Sequence, residues 1–211
     1  MKVLSGKKAT ILPQGDFHSY LARFATVHID IGTGSGRYVL KNAQKDPCGF
    51  YIGVDPVAAQ MAENAVKAQK QRLYNVLFVP ASVEGLPAEL DGVADAITVC
   101  LPWGSLRDGI VKADRAVLGG LRFPGKPGAA LTVWVGYDGR REAGELRRRG
   151  LPALSEEHFA GLSAEYRAAG ICMQRITVIG NAELQKLESD WAKRLAYGPP
   201  RRMYRLDCRY V

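Results

Sequence analysis

The run Val27-His28-Ile29-Asp30-Ile31 passes directly into Gly32-Thr33-Gly34-Ser35-Gly36, and this junction constrains the fold more than any other segment. An apolar stretch ending in glycines at alternate positions reads as a strand feeding a tight turn. There the backbone can approach a ligand closely at the N-terminus of the following helix. Such turns occur in many α/β proteins, so the loop points to a class and leaves the ligand open. Arg37 stands where the dinucleotide fingerprint G-x-G-x-x-G requires its third glycine. A second β-rich run, Phe50 to Val54, closes at Asp55-Pro56. A carboxylate at the end of the second strand is placed to accept hydrogen bonds from ribose hydroxyls. Asp30, just before the loop, is placed to face a sulfonium or an ammonium group. Together they favour S-adenosylmethionine over a nicotinamide dinucleotide; the plainer alternative is a capping Asp30 and a turn-forming Asp55.

The rest of the chain alternates in the same way. Residues 36–45 and 57–72 have helical apolar spacing, while 50–54, 76–79, 96–99 and 130–135 are short apolar runs suited to buried strands. Ser155-Glu156-Glu157-His158 is an N-cap signature for a helix reaching about Ala169, which Gly170 stops. A strand at 172–178, a polar and partly helical segment at 181–200 and a last strand at 203–210 complete the pattern. Alternating strands and helices predict an α/β fold with a mostly parallel sheet covered on both faces. The late strand pair suits the Rossmann-like, seven-stranded class I methyltransferase sheet better than a dehydrogenase.

Composition adds limits. With 211 residues, 47% hydrophobic and 24% charged, the chain is long enough for one domain with its own core and too apolar to be disordered. No apolar run approaches the roughly 18 residues of a membrane span, and no secretory signal is visible, so a cytoplasmic protein is expected. The four cysteines and three histidines show no zinc spacing, and no metal site is expected. The net charge of +8 favours an anionic partner, nucleic acid first. The excess is regional: Arg147, Arg148 and Arg149 form one cluster, and Lys186, Lys193, Arg194, Arg201, Arg202, Arg205 and Arg209 outnumber Glu188, Asp190 and Asp207 near the end.

The loop after the fourth strand, Cys100-Leu101-Pro102-Trp103-Gly104-Ser105-Leu106, lies where an α/β switch point places the substrate. It lacks the Asn/Asp-Pro-Pro-Tyr/Phe motif that holds an exocyclic amine. It also lacks the cysteine after proline that attacks cytosine, because Cys100 precedes Leu101-Pro102. A ring nitrogen already carries an in-plane lone pair, so its methylation needs positioning and stacking without a general base. Trp103 offers a stacking face worth ~1–3 kcal/mol per base. Trp191 lies in the basic C-terminal part; if the two converge, they would sandwich a base drawn out of its stack. Trp134, within a strand, reads as core. Val83-Glu84 follows the third strand, where the loop of a methyltransferase sheet lines adenine, although a surface turn reads equally well.

Val27 to Gly34, Phe50 to Val57, Leu101 to Leu106, Arg149-Gly150-Leu151-Pro152 and Trp191 to Gly198 together resemble the aminoglycoside-resistance 16S ribosomal RNA methyltransferases. More narrowly, the chain is similar to the branch that modifies N1 of adenine 1408 in the decoding-site helix. The resemblance covers nearly the whole chain and implies a cytoplasmic enzyme using S-adenosylmethionine; nothing in the sequence suggests an obligate dimer, so a monomer is expected. The resemblance also implies docking on the assembled 30S subunit, with the target adenine flipped between Trp103 and Trp191 and Ser189 beside them. By the same resemblance Asp30, Gly32, Gly34, Asp55, Pro56, Val83, Glu84, Cys100 and Ser105 line the cofactor site. Glu142 and Arg149 sit in an insertion that holds distorted RNA, and Arg201 follows the last linker toward RNA.

Departures shift the docking surface. Lys67, Lys70 and Arg72 remain after the Asp-Pro turn, while Val66 and Gln71 stand where the family has lysines, and Pro199-Pro200 replaces a basic pair. Docking is therefore expected to lean on Arg147, Arg148, Arg149, Arg201, Arg202 and Arg205, chiefly through phosphates. One methyltransferase domain over 1–211 is expected, with an N-terminal extension (about 1–24) and an insertion (about 138–165) as docking elements. Three rivals stay open: an N7-guanine methyltransferase of 16S rRNA or tRNA, a catalytically silent ribosome-binding module, and a small-molecule methyltransferase.

Overall fold

In the computed structural model, which describes residues 1–6, 8–12, 17–139, 141–199 and 201–211, the chain begins with a hairpin of β1 (Lys2–Ser5) and β2 (Lys8–Ile11). Helix α1 (Phe17–Leu21) follows. Then come β3 (Thr26–Ile31), α2 (Arg37–Lys45), β4 (Gly49–Val54), α3 (Ala58–Lys70), β5 (Val76–Val79) and two single 3₁₀ turns. The second half holds β6 (Ala94–Cys100), α4 (Gly104–Lys112), α5 (Arg115–Arg122), β7 (Gly125–Val135), α6 (Ala143–Arg148), α7 (Glu156–Gly161) and α8 (Ser163–Ala168). It ends with β8 (Ile171–Ile179), α9 (Asn181–Lys186), α10 (Asp190–Ala196) and β9 (Met203–Tyr210). Residues 7, 13–16 and 140 of the expected extension and insertion, and Pro200 of the Pro199-Pro200 step, lie outside the described residues.

Seven strands form one sheet in the order β5-β4-β3-β6-β7-β9-β8. The first five are parallel, and β9 runs antiparallel between β7 and β8. This is the α/β methyltransferase sheet expected from the alternation of elements. Every residue of β4 is buried, as a strand covered on both faces must be. On one face Val27, Ile29 and Ile31 of β3 and Phe50, Ile52 and Val54 of β4 join a core closed by α1, α4, α5, α7 and α8. On the other, Tyr51 and Phe78 pack with α2 and α3, while Cys100, Trp134 and Met203 pack with α9 and α10. Trp134 is core, as expected.

Two segments differ from the sequence reading. The helix expected from Ser155 to about Ala169 is capped by Ser155, whose Oγ accepts from the His158 amide at 3.0 Å, but breaks at Leu162 into α7 and α8. Gly161 weakens the helix there, and burial of Phe159 and Tyr166 fixes each short piece separately. Those two buried side chains anchor 155–168 to the core while Glu156, Glu157, Glu165 and Arg167 stay exposed, and α6 is anchored likewise by Leu146. The β1–β2 hairpin, unread in the sequence, divides its apolar residues: Val3 joins the larger core and Leu4 packs with α2 and α3.

Candidate active site

The strand order reverses between β3 and β6, and at their carboxyl ends lies a cleft of about 830 Å³. Its floor is the glycine turn. A Cβ on Gly32 would sit 2.7 Å from Leu106, and one on Gly36 would sit 2.4 Å from Phe78, so both close approaches depend on glycine. The Asp55 carboxylate accepts from the amides of Gly34 and Val57, each at 2.9 Å, and thereby ties the turn to the end of β4. Burial pushes its pKa up, and those two amides partly offset the shift. Each carboxylate oxygen keeps accepting capacity for a ligand hydroxyl.

Asp30 lies opposite Thr98 in the β3–β6 register and is only 1% exposed. Thr98 Oγ1 donates to Asp30 Oδ1 at 2.6 Å, and a ring nitrogen of His28 lies 3.2 Å from the same hydroxyl. Burial raises the Asp30 pKa to about 6, against the pull of the Thr98 hydroxyl. Burial also lowers His28 to about 4, which leaves its imidazole neutral. The buried Cys100 thiol is pushed well up by burial and by Asp30, so it is a protonated thiol and no nucleophile. Gly32, Gly34, Pro56, Val83, Glu84 and Ser105 line the same cleft as Asp30, Asp55 and Cys100, which brings together the whole set expected around a cofactor.

Trp103, Ser189 and Trp191 line this cleft too. Trp103 precedes α4 and is 50% exposed, while Trp191 belongs to α10. Their ring centroids are 5.2 Å apart with planes at 77°, an edge-to-face contact. The predicted convergence is present, but the rings touch and leave no slot between them. Ser189 caps α10 by accepting from the Ala192 amide at 3.4 Å. The segment carrying Ser189 and Trp191 is tied to the glycine turn and α2. Ser35 Oγ donates to Asp190 at 2.7 Å, Arg37 Nε lies 3.4 Å from Asp190, and Lys45 lies 2.8 Å from Glu188. Lys45 and Lys193 hold Glu188 down at about 2.

The basic residues divide by pairing. Lys67, Lys70, Arg72, Arg147 and Arg148 are exposed, Lys67 beside Glu63 at 2.7 Å. Arg202 is exposed, 3.7 Å from Glu156. Arg149 pairs with Asp108 and Glu145 at 2.8 and 3.1 Å, and Arg205 pairs with Asp207 and Glu183 at 2.9 and 3.5 Å. Glu142 points inward, 3.4 Å from Arg107 and 3.7 Å from Arg201. A carboxylate so placed orients arginines and leaves phosphate contact to them. Among the described residues, no helix is long and apolar enough to cross a membrane, and no three His, Cys, Asp or Glu side chains assemble as a metal site.

Residues 2–209 match the NpmA family of 16S rRNA (adenine(1408)-N(1))-methyltransferases. The chain belongs to that family. A 16S rRNA (adenine(1408)-N(1))-methyltransferase of Escherichia coli is 36% identical, over 98% of this chain and 97% of its own length. One from Streptoalloteichus hindustanus is 30% identical over 92% of each. A crystal structure of a tryptophan-to-alanine variant of the Catenulisporales acidiphilia enzyme, with its cosubstrate SAM, aligns with a TM-score of 0.91 and 34% identity. It covers 100% of this chain and 97% of that one. The aminoglycoside resistance methyltransferase NpmB1 aligns with a TM-score of 0.84 and 36% identity, over 100% of this chain and 99% of its own.

Two features in and beside this methyltransferase cleft escaped the sequence reading. Arg107 stands one helical turn after Trp103, a signal that becomes legible only once residues 104–112 are assigned as a helix. The Ser35–Asp190 contact joins residues far apart in the chain, and no local pattern announces it.

Proposed function

We propose that this protein transfers a methyl group from S-adenosylmethionine to N1 of adenine 1408 in 16S rRNA, within the 30S subunit, and so confers aminoglycoside resistance. The observation carrying this reading is a single cleft with two buried carboxylates at its floor and two tryptophans at its mouth. The site fits the cofactor: the cleft volume suits it, the turn runs through glycines at positive φ, and the groups facing the cleft include two carboxylates that can accept hydrogen bonds or face a cation. Asp30 would face its ammonium group, Asp55 its ribose hydroxyls, and the Val83-Glu84 turn its adenine. When bound, the cofactor supplies an electrophilic methyl carried on a sulfonium.

The chain's own residues do the rest. Trp103 and Trp191 part, and the flipped adenine enters between them. Two stacked contacts of roughly 3.5 Å each need ring planes about 7 Å apart, so the edge-to-face pair must open. Ser189, at the head of α10, borders the same space and orients the base. N1 already holds its lone pair, so placement replaces a general base. Cys100, a protonated thiol, takes no covalent part. Lys67, Lys70, Arg72, Arg147, Arg148 and Arg202 meet phosphates, while Arg149, Arg201 and Arg205 do so from within their carboxylate pairs. The enzyme works as a cytoplasmic monomer of one domain, with the N-terminal extension (about 1–24) and the insertion (about 138–165) as its RNA-docking elements.

The test is transfer of labelled methyl from S-adenosylmethionine to purified 30S subunits, with naked 16S rRNA as control, followed by reverse transcription. N1-methyladenine blocks base pairing, so a stop beside adenine 1408 on 30S alone is expected. Label on a guanine would overturn the target and keep the cofactor. No label on any substrate would bring forward the silent ribosome-binding module.

A further inference from the structure

We propose that Arg107 is a positioning residue for methyl transfer, its buried guanidinium holding the Trp103 ring and coupling it to the carboxylates that face Arg149 and Arg201. Arg107 lies on α4 and is 1% exposed, among the described residues the largest side chain buried to that degree. Its guanidinium carbon lies 5.4 Å from the ring centroid of Trp103 and 5.6 Å from that of Tyr137. Three carboxylates surround it: Asp108 at 3.2 Å from Nε, Glu142 at 3.4 Å from Nη1 and Glu145 at 3.5 Å from Nη2.

Stability alone accounts poorly for this arrangement. Burying a charge is costly, and an apolar side chain of similar volume is often as stable or more so. The three contacts are longer than the ~2.8 Å of a good charge-assisted hydrogen bond. Among the described residues Nη2 makes no hydrogen bond. The cation connects parts that the reaction needs in register. Asp108 and Glu145 also hold Arg149, and Glu142 also holds Arg201. A cavity of about 220 Å³ lies among Trp103, Arg107, Glu142, Trp191 and Arg201, which leaves the rings room to separate. With the guanidinium over one face of Trp103, the opposite face is left for a base, and cation–π attraction fixes that choice.

This inference rests on the methyl-transfer reading above, and its test separates the two. Arg107→Met and Arg107→Lys are assayed beside the unchanged protein on 30S subunits. Cofactor affinity is measured by calorimetry, and Trp103 emission is taken as the difference from a matching Trp103→Phe protein. Arg107→Met is expected to keep cofactor affinity within about twofold while kcat falls by about tenfold to a hundredfold, the scale of a small misplacement. Arg107→Lys recovers part of kcat, and the Trp103 emission shifts in Arg107→Met. Unchanged kcat and unchanged Trp103 emission in Arg107→Met overturn the proposal. If Arg107→Met melts early, Arg107→Met with Glu145→Gln restores charge balance. Recovery of Tm without kcat supports positioning, and recovery of both reduces Arg107 to a charge-balancing role and overturns it. If the unchanged protein methylates nothing, the methyl-transfer reading fails, and the emission comparison still decides whether Arg107 sets the ring.

Discussion

At the scale of single residues, Asp30 has a measurable signature. Its pKa is raised to about 6 because burial disfavours the charge more than the Thr98 hydroxyl supports it. A cationic ligand group favours the ionised form, so cofactor binding pulls the proton off. Between Asp30's pKa and that of the cofactor's ammonium group, near pH 7, the affinity for S-adenosylmethionine should be at its plateau, and below about pH 6 it should weaken by about tenfold per pH unit. For folding the sign is opposite. The folded state holds this proton more tightly than the unfolded chain, so the associated stability is present in acid and is lost as pH rises through about 6. His28, lowered to about 4, stays neutral throughout. Thr98→Val removes the supporting hydroxyl, so the bend in the affinity curve should move to higher pH. Asp55 also lies in the cleft with a raised pKa, but its partners are the amides of Gly34 and Val57, which Thr98→Val leaves in place. Calorimetric titration between pH 5 and 8 measures both, and a flat curve for the unchanged protein removes Asp30 as the cation's partner.

At the scale of elements, the site is a meeting of α4 and α10 over the glycine turn. Trp103→Ala or Trp191→Ala should therefore leave cofactor binding intact and reduce methyl transfer to background. Turnover near that of the unchanged protein in either variant would end the base-sandwich reading. The strands and long helices of this scaffold were legible because buried strands and amphipathic helices differ in period: Phe50 to Val54 and residues 57–72 illustrate the contrast. The short elements were not. Helix α6 has six residues and β1 four, too few to carry a periodic signal, and such pieces owe their stability to packing. The carboxylates and glycines of the cleft could be read because each sits at a strand end, where the switch point gathers side chains by topology. The contact between Trp103 and Trp191 depends on α10 being drawn to α2 by Asp190 and Glu188, and the edge-on angle of the rings depends on packing that no spacing encodes.

At the scale of the whole molecule, a net charge of +8 attracts any polyanion, and the question is which charges touch it. Position in the fold supplies the discrimination. Arg202 lies just before β9, its side chain 61% exposed and 3.7 Å from Glu156. Lys126 lies at the opposite end of the sheet, near the amino end of β7, and pairs with Asp95 at 2.6 Å. Arg202→Gln and Lys126→Gln lower the net charge equally, so any effect of the overall field must be the same in both. A phosphate contact adds a local term: losing it reduces the slope of log affinity against log salt by about 0.7–0.9. Arg202→Gln should weaken 30S binding and flatten its salt dependence by roughly that step, with unchanged cofactor affinity. Lys126→Gln should leave the slope unchanged at a stability cost of about 1 kcal/mol or less, as for an exposed ion pair. Filter binding across a salt series distinguishes the two. Equal slopes in both variants would make Arg202 part of a diffuse field and shift the docking surface toward Arg147 and Arg148.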